Sequence, residues 1–220
     1  MKDLSEEPEE ESSIWDGPLK YIVALFLLFL LVLWIVPAYT VRFNPAPRYI
    51  AMPEEVIPTF ELGNETGNEV YRREEFPGMI AGNDPVVKQT ADRIVALSGC
   101  GEHTTCQARA LFYFVRDRFT YVSDPYAYEY VKTAKESLTA QGGDCDDASI
   151  LLASLLQAVG FRTRFVFVPN HVYVQVWIQE APKKYKTEQQ WITTDATCRY
   201  CEFGERTLSS VDAEKQYFGG

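Results

Sequence analysis

Between Tyr21 and Val41 the chain carries no charged residue, and Ile22–Val36 reads IVALFLLFLLVLWIV without a polar position. A helix of a soluble domain keeps a polar face, so this run predicts a membrane-spanning helix. Residues 21–41 at a rise of roughly 1.5 Å each cover about 31 Å, enough for the hydrocarbon core. Tyr21, Trp34 and Tyr39 fall towards its ends, and Lys20 and Arg42 close it, as headgroup anchors do. A cleavable signal peptide fits less well. The preceding segment is acidic, and the apolar run exceeds the roughly 7–15 residues usual for one.

The pattern then changes twice. Residues 42–85 carry Pro45, Pro47, Pro53, Pro58, Pro77 and Pro85 with no sustained period, which predicts a tether with at most short extended pieces. Periodicity returns over 86–220, about 135 residues and sufficient for one core. Pro85 opens a helical stripe of Val87, Ala91, Ile94 and Leu97. A second helix, capped by Thr104 or Thr105, carries Ala108, Leu111, Phe112, Val115 and Phe119. Residues 121–141 are aromatic and irregular, a loop with a short helix. Gly142 and Gly143 break the chain before a third helix, with Ala148, Leu151, Leu152, Leu155 and Val159 on its stripe and Gly160 at its end. Strands are predicted over 163–168, 171–178 and 190–195. In the second, Val172, Val174, Val176 and Ile178 share one face and His171, Tyr173, Gln175 and Trp177 the other. Helices first and an antiparallel sheet after them predict an α+β fold.

Charge refines this picture. Lys and Arg number 21 against 31 Asp and Glu, a net −10, which argues against a nucleic-acid binder. Half of that excess lies in residues 1–20, read as a solvated acidic tail. The predicted order is thus tail 1–20, transmembrane helix 21–41, tether 42–85 and compact domain 86–220. Lys2 and Lys20 before the span balance Arg42 and Arg48 after it. The triplet Asn64-Glu65-Thr66, a glycosylation acceptor pattern, tips the orientation towards a short cytoplasmic tail and an extracytoplasmic domain.

Candidate chemistry centres on Cys145, at the start of the third helix. Unpaired N–H groups and the helix dipole favour a thiolate there, while Asp144, Asp146 and Asp147 oppose it. A positive partner is needed, and the chain has two histidines. His171 opens a strand on its polar side, and Asp195 ends the next. If those strands are neighbours, Asp195 accepts one ring N–H of His171 and stabilises imidazolium beside thiolate. Singly, each residue has a plain structural explanation: a buried thiol, a surface histidine, a turn-opening aspartate.

Three strings change that balance. Gly143-Asp144-Cys145-Asp146-Asp147 before an aliphatic helix resembles the nucleophile motif of the transglutaminase-like superfamily. The strand His171-Val172-Tyr173-Val174-Gln175-Val176 and the segment Trp191-Ile192-Thr193-Thr194-Asp195-Ala196-Thr197 resemble its histidine and aspartate strands, and Leu111–Tyr121 resembles the helix preceding the motif. The resemblance covers about residues 86–200. It implies a papain-like α+β core and a Cys145–His171–Asp195 triad that attacks a peptide or carboxamide carbonyl through a thioester. The Cys145 backbone N–H would form half of an oxyanion hole, with Gln141 and Tyr121 as candidates for the other half. It implies a protein or peptide substrate and no cofactor. The calcium-using cross-linking enzymes of that superfamily have further domains, and no EF-hand-like loop occurs here. Hydrolysis is the leading expectation. Amine transfer to a protein glutamine and a catalytically silent peptide-binding module are the alternatives.

The remaining cysteines are Cys100 and Cys106, and Cys198 and Cys201. Two arrangements fit them. In an external domain the pairs would cross-bridge into two disulfides that staple the Asp195 strand end to the helices. In a cytoplasmic one, four thiolates would hold a structural zinc, with His103 as a substitute ligand.

Overall fold

A computed structural model describes residues 17–63, 72–124, 130–207 and 212–220. The acidic residues 1–16, the triplet Asn64–Thr66 and part of the aromatic segment before Tyr130 lie outside the described residues. The chain divides into two units, residues 1–43 and 44–220. The first contains helix α1 (Leu19–Phe43), continuous through Pro37. Its stretch Leu19–Val36 has a mean hydropathy of 2.8, and none of it is buried. It is long and apolar enough to cross a membrane, a property a signal sequence shares.

The second unit begins earlier than the sequence predicts. The described part of 44–85 is not a tether but belongs to the compact unit. Ala51, Val56 and Phe76 are fully buried in its core. Arg118 donates to the Ile50 and Ala51 carbonyls (2.8 and 3.2 Å), and the Arg48 N–H donates to the Ser98 carbonyl (2.9 Å). A short helix α2 (Pro53–Val56) and a 3-10 turn (Arg73–Met79) interrupt the segment. Isolated apolar residues carry this docking, each contributing roughly 1.5–3 kcal/mol on full burial. No period announces them.

Helices α3 (Pro85–Leu97) and α4 (Thr104–Arg118) follow. Asp84 caps α3, accepting the N–H groups of Val86 and Val87, whereas α4 starts after His103 without a side-chain cap. Strand β1 (Thr120–Tyr121), helix α5 (Ala134–Ala140) and strand β2 (Gly142–Gly143) lead into α6 (Cys145–Ala158). In α6, Ile150 and Leu156 are as buried as Leu151, Leu152 and Leu155. This helix is therefore central, packed between α3, α4 and α5 on one side and the sheet on the other.

The sheet comprises β3 (Arg162–Val168), β4 (His171–Trp177), β5 (Lys186–Glu188), β6 (Trp191–Thr194) and β7 (Gln216–Gly219). Its order is β5-β6-β4-β3-β7, antiparallel throughout. Val172, Val174, Val176 and Ile192 face the helices in the main core. β3 and β4 join through Pro169 and Asn170, and Asn170 takes φ 57°, a left-handed conformation that Asn tolerates. That turn sets Val168 opposite His171 and fixes the register of the histidine strand.

Candidate active site

Cys145 owes its position to the turn before it. β1 and β2 pair in parallel, Thr120 opposite Gly142 and Tyr121 opposite Gly143. A Cβ on Gly142 would lie 2.8 Å from the Thr120 carbonyl oxygen, and one on Gly143 would overlap the Asp147 carboxylate. Only glycine fits at either position, because the β1 backbone crowds Gly142 and the Asp147 side chain in α6's first turn crowds Gly143. Gln141 closes α5 in the left-handed region (φ 50°) and is exposed. Its carbonyl accepts the Thr120 N–H at 3.0 Å, so its evident role is to hold this turn.

Asp144 is the N-cap of α6, accepting the N–H groups of Asp146 (3.0 Å) and Asp147 (3.3 Å). Asp147 returns the bond to the Asp144 N–H at 3.3 Å and completes a capping box. Asp147 also accepts the Lys132 N–H at 2.7 Å and pairs with the Lys132 ammonium. The Cys145 N–H has no acceptor among the described residues, so a helix-terminal donor remains open beside the sulfur.

His171 and Asp195 meet across neighbouring strands, as expected. Val174 lies opposite Thr194, so Asp195 falls opposite Tyr173, the next residue on His171's face. Diagonal neighbours on one face are within reach, and His171 Nε2 lies 2.8 Å from Asp195 Oδ2. Asp195 is buried and fully bonded. Its Oδ1 accepts from Thr197 N–H (3.1 Å) and Thr197 Oγ1 (2.7 Å), and its Oδ2 accepts from Thr207 Oγ1 at 2.7 Å. Burial works against the charged carboxylate. The His171 contact and the two threonine donors outweigh it, and Asp195 titrates below the usual range. An ionised Asp195 accepts only, so Nε2 carries the proton and Nδ1 is the basic nitrogen. Burial would favour the neutral ring, but the Asp195 hydrogen bond and charge raise the His171 pKa overall.

Cys145, Asp146 and His171 line one cleft of about 420 Å³. The sulfur nonetheless makes its hydrogen bond to Asp146 Oδ1 (3.5 Å), and no bond joins it to the imidazole in this conformation. Burial and the charges of Asp146 and Asp144 push the thiol up to about 12, while the Val172 backbone amide works in the opposite sense. Asp144 itself is raised to about 6, by burial and by Asp147. The resting sulfur is therefore a thiol rather than a preformed thiolate. Tyr121 is close enough to feel the charge on Cys145, Asp144 and Asp146, though burial contributes most to its raised pKa.

The other cysteines also differ from expectation. Each pair closes on itself, Cys100 with Cys106 and Cys198 with Cys201. Neither cross-bridging between the pairs nor a shared four-thiolate centre matches this arrangement, because the pairs sit in separate local loops. Among the described residues no group of three or more His, Cys, Asp or Glu side chains is arranged to hold a metal. Two site features were missed at the sequence level. Thr207 reaches Asp195 from a distant loop, and Arg72, Arg73 and Phe76 form one wall of the cleft from the segment read as a tether.

Residues 88–196 match the family model described as the transglutaminase-like superfamily. The chain thus carries a transglutaminase-like domain, and this stretch contains Cys145, His171 and Asp195. Among solved structures it is similar to LapG of Legionella pneumophila, at 20% identity over 58% of this chain and 71% of that one, with a TM-score of 0.41. It is also similar to a candidate cysteine protease of Cytophaga hutchinsonii, at 16% identity and a TM-score of 0.39. That alignment covers 66% of this chain but about half, 47%, of the other. No curated protein matches the chain.

Proposed function

We propose that the protein is a membrane-anchored thiol enzyme that hydrolyses peptide or carboxamide bonds through Cys145, His171 and Asp195. The observation carrying this reading is the 2.8 Å His171–Asp195 bond at the edge of the cleft that Cys145 lines. On this reading the sulfur turns from Asp146 towards His171 Nδ1, which takes the thiol proton as the sulfur attacks the carbonyl carbon. The open Cys145 N–H donates to the developing oxyanion. The protonated ring then gives its proton to the departing amine, leaving a thioester that water hydrolyses. Asp195 keeps the proton on Nε2 and stabilises the imidazolium.

Helix α1 anchors the protein, with the domain on the extracytoplasmic side. Two disulfides in 177 residues (44–220) fit an oxidising compartment better than a reducing one.

The sulfur's bond to Asp146 and its raised pKa favour a second reading, a catalytically silent peptide-binding module. Hydroxylamine trapping separates the two. Incubated with glutamine-bearing and simple peptides, the full chain in detergent should form peptide hydroxamates. Cys145→Ala should form none, and His171→Ala should lose about 10²–10⁴-fold. Hydroxamate formation equal in the wild type and Cys145→Ala would overturn the enzyme reading. Adding a primary amine in place of hydroxylamine reads transfer against hydrolysis.

A further inference from the structure

One wall of the cleft that Cys145 and His171 line is basic, in a chain that is acidic overall. It is built by the 3-10 turn Arg73–Met79. Phe76 anchors that turn in the core, with its ring edge-on to Phe165 (5.6 Å) and Phe167 (4.9 Å). Arg72 and Arg73, at the start of that turn and exposed, line the same cleft as Cys145 and His171. Arg73 has an unusual set of partners. Its Nη1 donates to the neutral Gln216 Oε1 at 2.9 Å, and its guanidinium lies 5.3 Å from the centre of the Phe167 ring. No carboxylate balances it among the described residues. Arg72 meets Glu75 at 3.5 Å, a mostly exposed pair worth little.

A guanidinium held by an amide and a π face is oriented, and among the described residues no carboxylate pairs with it. Its fork geometry matches a carboxylate. Asp146, on the same cleft beside the sulfur, disfavours an anion there. Opposite charges on one lining therefore select for where a negative charge sits, not only for its presence. From this arrangement we propose that Arg73, assisted by Arg72, is a specificity residue that selects peptide substrates carrying a carboxylate displaced from the bond attacked. The proposal rests on the thiol-enzyme reading above. The carboxylate can come from an acidic side chain or from a free chain terminus, and the two share one recognition chemistry.

The test is the rate at which peptidyl electrophiles label Cys145 in the full-length protein, read by intact mass. Matched vinyl sulfones with Glu or its isostere Gln report side-chain recognition. Epoxysuccinyl peptides with a free or amidated terminus report the terminal carboxylate. Iodoacetamide serves as the uncharged control. The expected result is about a tenfold preference for the carboxylate member of at least one pair, shrinking as salt rises from 50 to about 500 mM. Arg73→Gln should abolish the preference and Arg73→Lys should retain part of it, each read as the ratio within a pair after normalising to the same variant's iodoacetamide labelling. Gln216→Ala, which removes the guanidinium's amide partner, should reduce the preference without abolishing it.

Equal labelling within both pairs, or a preference that survives Arg73→Gln, overturns the proposal while His171-dependent iodoacetamide labelling keeps the enzyme reading intact. Loss of His171 dependence in the iodoacetamide control instead sinks the enzyme reading, and the proposal with it.

Discussion

Asp147→Ala should unfold the region that presents the sulfur more readily than any substitution on the cleft surface. The Asp147 side chain is 1% exposed. It accepts from the Lys132 N–H, pairs with the Lys132 ammonium and closes the capping box through the Asp144 N–H. Its removal strands two backbone donors and a half-buried ammonium. A lost cap costs about 1 kcal/mol, a hydrogen bond to a charged group about 1.5–3, and breaking a buried pair from one side about 3–5. These contributions overlap, because one carboxylate makes all three, so about 4 kcal/mol is expected in total. At roughly 2–4 °C per kcal/mol for a domain of this size, the melting temperature should fall by about 10 °C. Asp147→Asn keeps the shape and one acceptor oxygen, and should lose about half as much. Thermal unfolding of the full chain in detergent, followed by tryptophan emission, measures both. A shift below about 2 °C for the alanine variant would refute the argument that this carboxylate organises the turn.

Three further outcomes follow from the site. Asp195 is held below the carboxylate range, so its contribution to stability is present above its unfolded value near 3.9 and lost as pH falls through the folded value. His171 is raised, so its contribution is present below about 6.5 and lost as pH rises through its folded value. Asp195→Asn should flatten both limbs of a urea-unfolding profile against pH, and an unchanged profile would contradict the pairing. Asp146→Asn and Asp144→Asn each remove a charge that raises the Cys145 thiol, and each should speed its alkylation at pH 8 by about tenfold. A slower rate would reverse the assigned electrostatics. Thr207→Val should lower kcat about tenfold by freeing Asp195 Oδ2, with Thr207→Ser restoring it and KM unchanged. Loss without rescue by serine would mean that the hydroxyl is not what matters.

Much of this organisation is written in periodic patterns. The stripe in α3 and the alternation in β4 give the helices and the histidine strand to within a residue or two, although Leu97 of the stripe is exposed and Tyr173 and Gln175 on β4's polar face are buried. The meeting of His171 and Asp195 follows from two neighbouring strands with side chains on one face. Docking of the described part of 44–85 is not periodic: Ala51, Val56 and Phe76 sit among prolines and polar residues, and each is buried in the core. Arg73 therefore could not be foreseen at the cleft. The connectivity of Cys100, Cys106, Cys198 and Cys201 was also illegible, since spacing alone permits several pairings. Burial of both faces of α6 was partly legible, as Ile150 and Leu156 extend its apolar surface beyond one stripe. The sulfur's choice of Asp146 over His171 depends on a side-chain rotation that no pattern encodes.

The account stands on Cys145, His171 and Asp195 exchanging one proton. Cys145 is the single free cysteine among the described residues, so its rate of alkylation by iodoacetamide can be followed from pH 5 to 10 in the intact chain. If the ring draws the thiol proton, His171→Ala should slow labelling at neutral pH by at least about tenfold, Asp195→Asn should fall between, and the wild type should show an inflection where the imidazole titrates. Superimposable profiles for the wild type and His171→Ala, both climbing without an inflection up to pH 10 as expected of a raised thiol alone, would contradict it.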